Sequence, residues 1–384
     1  VTVTAGHGPT ELSGRALGPD LARGFMLLFI ALANSHYFLS SSAYFGGFPA
    51  DLGPLDAAVA WAIATFVDGR AFPMFGLLFG YGVAHIVRRQ GDASPRTVRR
   101  LLWRRALFLV LVGFLHATLL YVGDILGAYG VLLLVGAWTV RWRDGWLLFV
   151  AALFWVLTAL PSEDSFSIGT EGPDPTMLPT DLGVMVIDRA FASGFISLLG
   201  PIGFVCPFLL GLWAGRRRLL EEPSRHRTFL RFVAVGGITV AVLGAQPVAL
   251  VHLGVIDVPD ASSLSVVGPL HDAFGVFGGF GYAALIALVA LRLGPRRGRV
   301  VTALSAVGQR SMTCYLCQSV VWTIVFTPFF LGLSSELTVA TTALLAVATW
   351  LGTVLLADWM RRTGRRGPFE VLVRRVTYGR PLAA

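Results

Sequence analysis

The stretch LHATLLYVGDILGAYG, residues 115–130, sets His116 and Asp124 between two long apolar runs. Imidazole exchanges protons near neutral pH, so a histidine in such a place can serve as a base toward a hydroxyl or amine. Ionisable groups inside a bilayer are costly, and where they occur they face a cavity or a partner. Two structural roles compete. Asp124 follows Gly123 at a chain reversal and suits the N-cap of the next helix. His116 suits an interhelical hydrogen bond within a membrane bundle.

Other polar groups fall at the same depth along their apolar runs. Asn34, His36 and Tyr37 close the first run, Asp68 and Arg70 open the second, and His252, His271 and Asp272 flank a later turn. Tyr315, Gln318 and Ser319 lie further along. Four of the seven histidines (36, 116, 252 and 271) and three acids (68, 124 and 272) therefore share one region. Such convergence predicts a common polar pocket near the outer surface. At the opposite end, Arg23 and Arg310 lie just inside their runs, where they can snorkel to headgroups or hold a phosphate or carboxylate.

The elements that must carry these groups follow from composition. The chain has 384 residues, 55% hydrophobic and only 14% charged, outside the range of soluble globular domains. Apolar stretches reach or approach the roughly 20 residues a helix needs to cross a bilayer. The expected fold is an all-α polytopic transmembrane helical bundle of about ten spans, near 21–40, 68–87, 101–121, 125–140, 145–160, 194–214, 230–252, 269–291, 302–328 and 338–357. The first run ends in NSHYFLSSS without a small-residue cleavage site and is expected to remain as a span.

The net charge of +9 comes from arginine alone, since the sequence contains no lysine. The arginines fall in 88–105, 141–144, 215–231, 292–299 and the tail after 360, all on one side of a ten-span chain. The other side carries Arg70 and Arg189 among acids such as Asp56, Glu163, Asp174, Asp181 and Asp260. The bias puts both termini in the cytoplasm. It makes anionic lipid of the inner leaflet, and no nucleic acid, the expected partner. The resulting division is a cytoplasmic segment 1–20, a membrane domain 21–360 with an irregular outer loop at 161–192, and a basic segment 361–384. Within that last segment, RRGPFEVLVRRVTYGR (365–380) reads as an interfacial helix.

Cys206, Cys314 and Cys317 all lie in apolar runs. The C-x-x-C at 314–317 reads as small packing residues, and nothing has zinc-ligand spacing, so no metal is expected. GVFGGFGY (275–282) lies inside a span and reads as a close-packing face, because a phosphate loop needs a strand before it.

Four blocks resemble the YeiB family of bacterial inner-membrane proteins: ARGFMLLFIALANSHYF, FPMFGLLFGYGV, RRALFLVLVGFLHATLLYVGDILGAYG and GQRSMTCYLCQSVV with the closing GPFEVLVRRVTYGR. The resemblance covers nearly the whole chain, and its most specific parts are Gly123 to Tyr129 and the G-P-x-E…T-Y-G ending. More distantly, the chain is similar to transmembrane acyltransferases, including the lysosomal heparan glucosaminide acetyltransferase and bacterial sugar O-acylating enzymes. The shared feature is Arg23-Gly24 followed by a polar residue, Asn34. The sugar-acylating group has histidine at that place, whereas here His36 comes two residues later, about 200° around the helix.

The resemblance implies an integral-membrane acyltransferase moving an acyl group from a cytoplasmic donor to a small-molecule or glycan hydroxyl or amine at the outer face of the cell membrane. Acyl-CoA would be a co-substrate rather than a bound cofactor. His36 or His116 would be the base, with Asp124 orienting it. Arg23, Arg70 and Arg310 would meet charge on the substrates, and Asn34, Tyr129 and Gln318 would hydrogen-bond them. A small-molecule transporter or exporter and a non-catalytic membrane partner are the alternatives.

Overall fold

In a computed structural model, which describes residues 16–294 and 297–379, the chain is an all-α bundle. Fourteen α-helices are described: α1 Leu17–Ser35, α2 Pro54–Phe66, α3 Ala71–Arg89, α4 Pro95–Leu119, α5 Leu126–Gly136, α6 Asp144–Thr158, α7 Leu182–Leu199, α8 Pro201–Arg216, α9 Arg227–His252, α10 Ala261–Leu293, α11 Arg299–Gln309, α12 Ser311–Phe326, α13 Val339–Arg362 and α14 Pro368–Tyr378. One two-residue hairpin, β1 Tyr44–Phe45 with β2 Phe48–Pro49, interrupts them.

Seven helical segments are long and apolar enough to cross a membrane, with α2 and α3 taken as one segment, Pro54–Arg89. Four shorter apolar helices, α5, α6, α8 and α12, complete the bundle. The perimeter presents bulky apolar side chains such as Phe191 (80% exposed) and Phe232 (76% exposed). A monomer in water rarely exposes so large an apolar surface, and here the bilayer would cover it. This is a polytopic membrane protein.

Hydrogen bonds sort the connections into two ends. Arginine-bearing loops meet one another: Arg88 donates to Glu221 at 2.7 Å, Arg216 to Asp144 at 2.9 Å, and Arg310 to the carbonyl of Arg365 at 2.7 Å. Acid-bearing loops meet one another through Ser40 N–H to Ser334 O (2.9 Å), Gly46 N–H to Gly169 O (2.8 Å) and the N–H of Ala340 to Asp56 (2.7 Å). The charge segregation expected from the sequence is thus a real spatial division.

Two expected spans are not single helices. The run 194–214 is split, because Asp181 caps α7 by accepting from Val184 N–H at 2.9 Å and Pro201 starts a new helix after Gly200. Helix α7 therefore begins inside the stretch expected to be outer loop. The run 302–328 breaks at Arg310, whose φ/ψ of −124°/28° separates α11 from α12. The second span is preceded by α2, with Val67–Arg70 as a non-helical turn where Gly69 takes a φ of +72° that other residues rarely adopt. Residues 1–15 of the expected cytoplasmic segment and 380–384 of the tail lie outside the described residues.

Arg70 staples that turn into the bundle. It is completely buried, donating to Ala241 O of α9 at 2.6 Å and to the carbonyl of Asp68, with its Nη1 3.0 Å from His271 Nε2 of α10. An Arg70→Met substitution strands those acceptors in an apolar interior and is expected to cost about 3 kcal/mol. A lowered thermal midpoint in detergent checks it; an unchanged midpoint would mean that the guanidinium holds nothing.

Candidate functional site

Helices α4 and α5 approach closely because glycine lines their seam. A Cβ added to Gly113 would lie 2.6 Å from Gly127 Cα and 2.5 Å from Asp124 Oδ2, and one on Gly130 would lie 2.8 Å from Ala106 O. That seam brings the Asp124 carboxylate under His116. His116 Nδ1 lies 2.7 Å from Asp124 Oδ1, while Asp124 Oδ2 accepts the Gly127 N–H at 2.7 Å. Both side chains are buried. Asp124 is thus a helix cap and a histidine partner at once, and the two sequence readings are not exclusive. An ionised Asp124 accepts Nδ1–H, which leaves Nε2 with a lone pair. His116 Nε2 is buried and has no hydrogen-bond partner among the described residues.

Beside the pair, the Tyr315 ring of α12 sits 5.1 Å from the His116 ring, centroid to centroid. Tyr121 donates to Asn34 Oδ1 at 2.9 Å, and Asn34 donates to Ile30 O at 2.9 Å, tying α1 to the end of α4. Gln318 is buried with Nε2 3.4 Å from Leu27 O.

His36 belongs to a different group. Its ring stacks on Phe48 at 3.8 Å and 7°, and its Nε2 is 3.9 Å from Asp68 Oδ2. His252 packs edge-on to Phe48 at 4.7 Å. His271 Nε2 lies 3.0 Å from Arg70 Nη1 and 3.1 Å from Ala64 O, and its Nδ1 lies 3.3 Å from Asp272 Oδ1. The outer polar groups expected to share one pocket thus fall into two groups, one around His116 and Asp124 and one around His36 and His252. Phe48 packs against the rings of both His36 and His252.

A cavity of about 340 Å³ opens among the arginine-bearing elements. Its charged walls include Asp20 and Arg23 of α1, Arg89 of α3, Arg105 of α4, Glu221, and Glu370 and Arg374 of α14. Its other walls are apolar and aromatic: Met26, Phe75, Phe79, Leu126, Tyr129 and Tyr315. Tyr315 thus touches both the cavity and the His116 ring. Glu221 lies in the turn after α8; burial opposes its ionisation, but hydrogen bonds from His85 and Arg88 hold its carboxyl below the usual range.

Of the residues expected to bind substrate, Arg23 and Tyr129 line this cavity. Asn34, Arg70, Arg310 and Gln318 do not; Arg70 and Arg310 spend donors on backbone carbonyls and hold turns together. Arg89 and Arg105, in the basic loop 88–105, and Glu370 and Arg374, in the expected interfacial helix, also line the cavity. The available signal was the i, i+4, i+8 spacing of Glu370, Arg374 and Tyr378, which places all three on one face of α14. Arg189 was also missed; it is buried, donating to Thr176 O (2.7 Å), Leu120 O (2.9 Å) and Met177 O (3.2 Å), and it pins the outer loop over Tyr121.

Sequence relatives align along nearly the whole chain. The alignment to a protein of Escherichia coli K12 named "Uncharacterized protein YeiB" is 28% identical and covers 93% of this chain and 95% of that one. The alignment to "Uncharacterized protein YxaH" of Bacillus subtilis 168 is 27% identical and covers 96% of each. The chain is thus similar to YeiB and YxaH over nearly its whole length. Its residues 214–380 match the family described as "Protein of unknown function (DUF418)", a stretch that runs from the end of α8 through α14. The match takes in the α14 wall of the cavity but not the α4–α5 seam, so the YeiB-like relatives aligned over the full length are the ones that cover His116 and Asp124.

Asp124→Asn keeps an acceptor for Gly127 N–H and is expected to stay within about 1 kcal/mol of the parent, whereas Asp124→Ala loses both contacts and about 2–4 kcal/mol. Thermal midpoints in detergent would separate them. Equal midpoints for both variants and the parent would show that Asp124 caps nothing.

Proposed function

We propose that the protein is a cell-membrane acyltransferase in which His116, oriented by Asp124, is the base. The observation that carries this reading is the buried pair whose outer nitrogen, Nε2, is left without a protein partner. The chain crosses the membrane ten times with both termini and the cavity mouth in the cytoplasm, where arginine-rich loops meet anionic lipid. The acyl donor enters the cavity and brings its thioester toward Tyr315. A rotation of Tyr315 opens the way to Nε2. The acceptor, a glycan or small-molecule hydroxyl or amine, arrives from the acid-bearing end past the loop that Arg189 holds. As the acceptor oxygen or nitrogen bonds to the acyl carbon, the C–S bond breaks, and the acceptor's proton passes through His116 Nε2 to the leaving thiolate. Asp124 keeps the imidazole in the tautomer that can take that proton.

A second reading, a small-molecule exporter, draws on the breaks at Val67–Arg70, Gly200 and Arg310 and on the buried His36–Asp68 and Arg70–His271 contacts. Broken helices and buried ionisable groups are features of transporters.

In proteoliposomes supplied with an acyl thioester outside one face and a glycan acceptor at the other, His116→Ala is expected to lower transfer by about 10²–10⁴-fold while His36→Gln retains it. Transfer that survives His116→Ala would remove this mechanism. Acceptor flux that needs a proton gradient and no thioester would favour the exporter.

A further inference from the structure

The cavity combines two chemistries in one open-mouthed space. Toward the loops it is lined by the guanidinium groups of Arg23, Arg89, Arg105 and Arg374. Of the carboxylates on the same walls, Asp20 pairs with Arg23 at 3.5 Å and accepts from Gln309 at 3.1 Å, Glu370 accepts from Met312 N–H (2.8 Å) and Thr313 Oγ1–H (2.6 Å) at the start of α12, and Glu221 accepts from Arg88 at 2.7 and 2.8 Å. Further in, the walls are Met26, Phe75, Phe79 and Leu126. Among the polar atoms on this surface that make no hydrogen bond among the described residues are Nε of Arg105 and the hydroxyl of Tyr129, whose residue is only 1% exposed. A buried hydroxyl left unsatisfied costs free energy unless a ligand or water meets it. Guanidinium groups match phosphate oxygens through paired N–H donors.

We infer that this cavity binds an amphiphile with a phosphate head among Arg89, Arg105 and Arg374 and an apolar or acyl end against Phe75, Phe79 and Tyr129. A volume of about 340 Å³ encloses a small-molecule part, not a whole two-chain lipid. Helix α14, the G-P-x-E…T-Y-G ending of the chain, contributes Arg374 and Tyr378 to the wall, and Glu370 locks it to α12 next to Tyr315. The inference deepens the acyl-transfer reading by naming the donor's chemistry and rests on it only for what happens at the far end; binding is separable from catalysis.

The test is equilibrium binding to the full-length protein in detergent with three probes: acetyl-CoA, single-chain lysophosphatidic acid, and a neutral monoacylglycerol of the same chain length. At least one phosphate probe is expected to bind and the neutral one is not. Acetyl-CoA alone marks a soluble thioester donor, and lysophosphatidic acid alone marks a bilayer lipid. Arg105→Gln and Arg374→Gln should each weaken the bound phosphate probe roughly tenfold, with affinity falling as salt rises. Tyr129→Phe, which keeps the ring and the fold, should weaken it severalfold. His116→Ala should leave binding unchanged while abolishing transfer, so a failed mechanism and a failed binding site give different results. Binding of neither phosphate probe, equal binding of the neutral amphiphile, or unchanged affinity in Tyr129→Phe and both arginine variants would overturn the inference.

Discussion

The contact on which the rest depends is the close passage of α4 against α5. Glycine at 113 and 130 lets the two backbones approach until no side chain could fit between them. Only then can one carboxylate cap α5 and hold the imidazole of α4 at 2.7 Å. The pair sits where water is scarce, so each hydrogen bond counts for more than at a surface, and an unmet polar atom costs more. Sequence sets this arrangement directly: the reversal at Gly123 fixes the start of α5, and the spacing of the glycines fixes its contact with α4.

The cavity depends on a second constraint, the fixing of α14. Arg310 breaks the ninth expected span and donates to the Arg365 carbonyl, while Glu370 caps the helix that begins just after the break. The carboxylate of Glu370 and the hydroxyl of Thr313 occupy the space a Cβ at Gly367 would take, which accounts for glycine at that point of the closing motif. A basic amphipathic helix thus gives one face to the cavity while Leu372 and Arg375 remain exposed on another.

Much of the fold was legible. Apolar runs and arginine-rich loops are long-range averages, and averages survive uncertainty at single residues, so the bundle and its two-sided charge emerge from composition alone. The helix breaks were harder to see. Gly200-Pro201 and Arg310 sit in runs as apolar as their neighbours, and hydropathy does not register a backbone turn that tertiary hydrogen bonds stabilise. At the site, the pairing of His116 with Asp124 could be proposed from their placement around one reversal. The separation of His36 could not, because it is set by Phe48 in a hairpin with no periodic signature. Depth along a helix shows which groups share a layer but not which share a wall. The arginines of the cavity were hidden for a related reason: a cation at a span end is ordinarily a headgroup residue, and only the packing of α14 encloses these.

The most direct measurement is the tautomeric state of His116, read from ¹⁵N chemical shifts of histidine-labelled protein in detergent at neutral pH. An Nδ1–H tautomer with an unprotonated Nε2, lost in Asp124→Asn, is what the pair requires. A proton resident on Nε2, or a tautomer indifferent to Asp124, would contradict it.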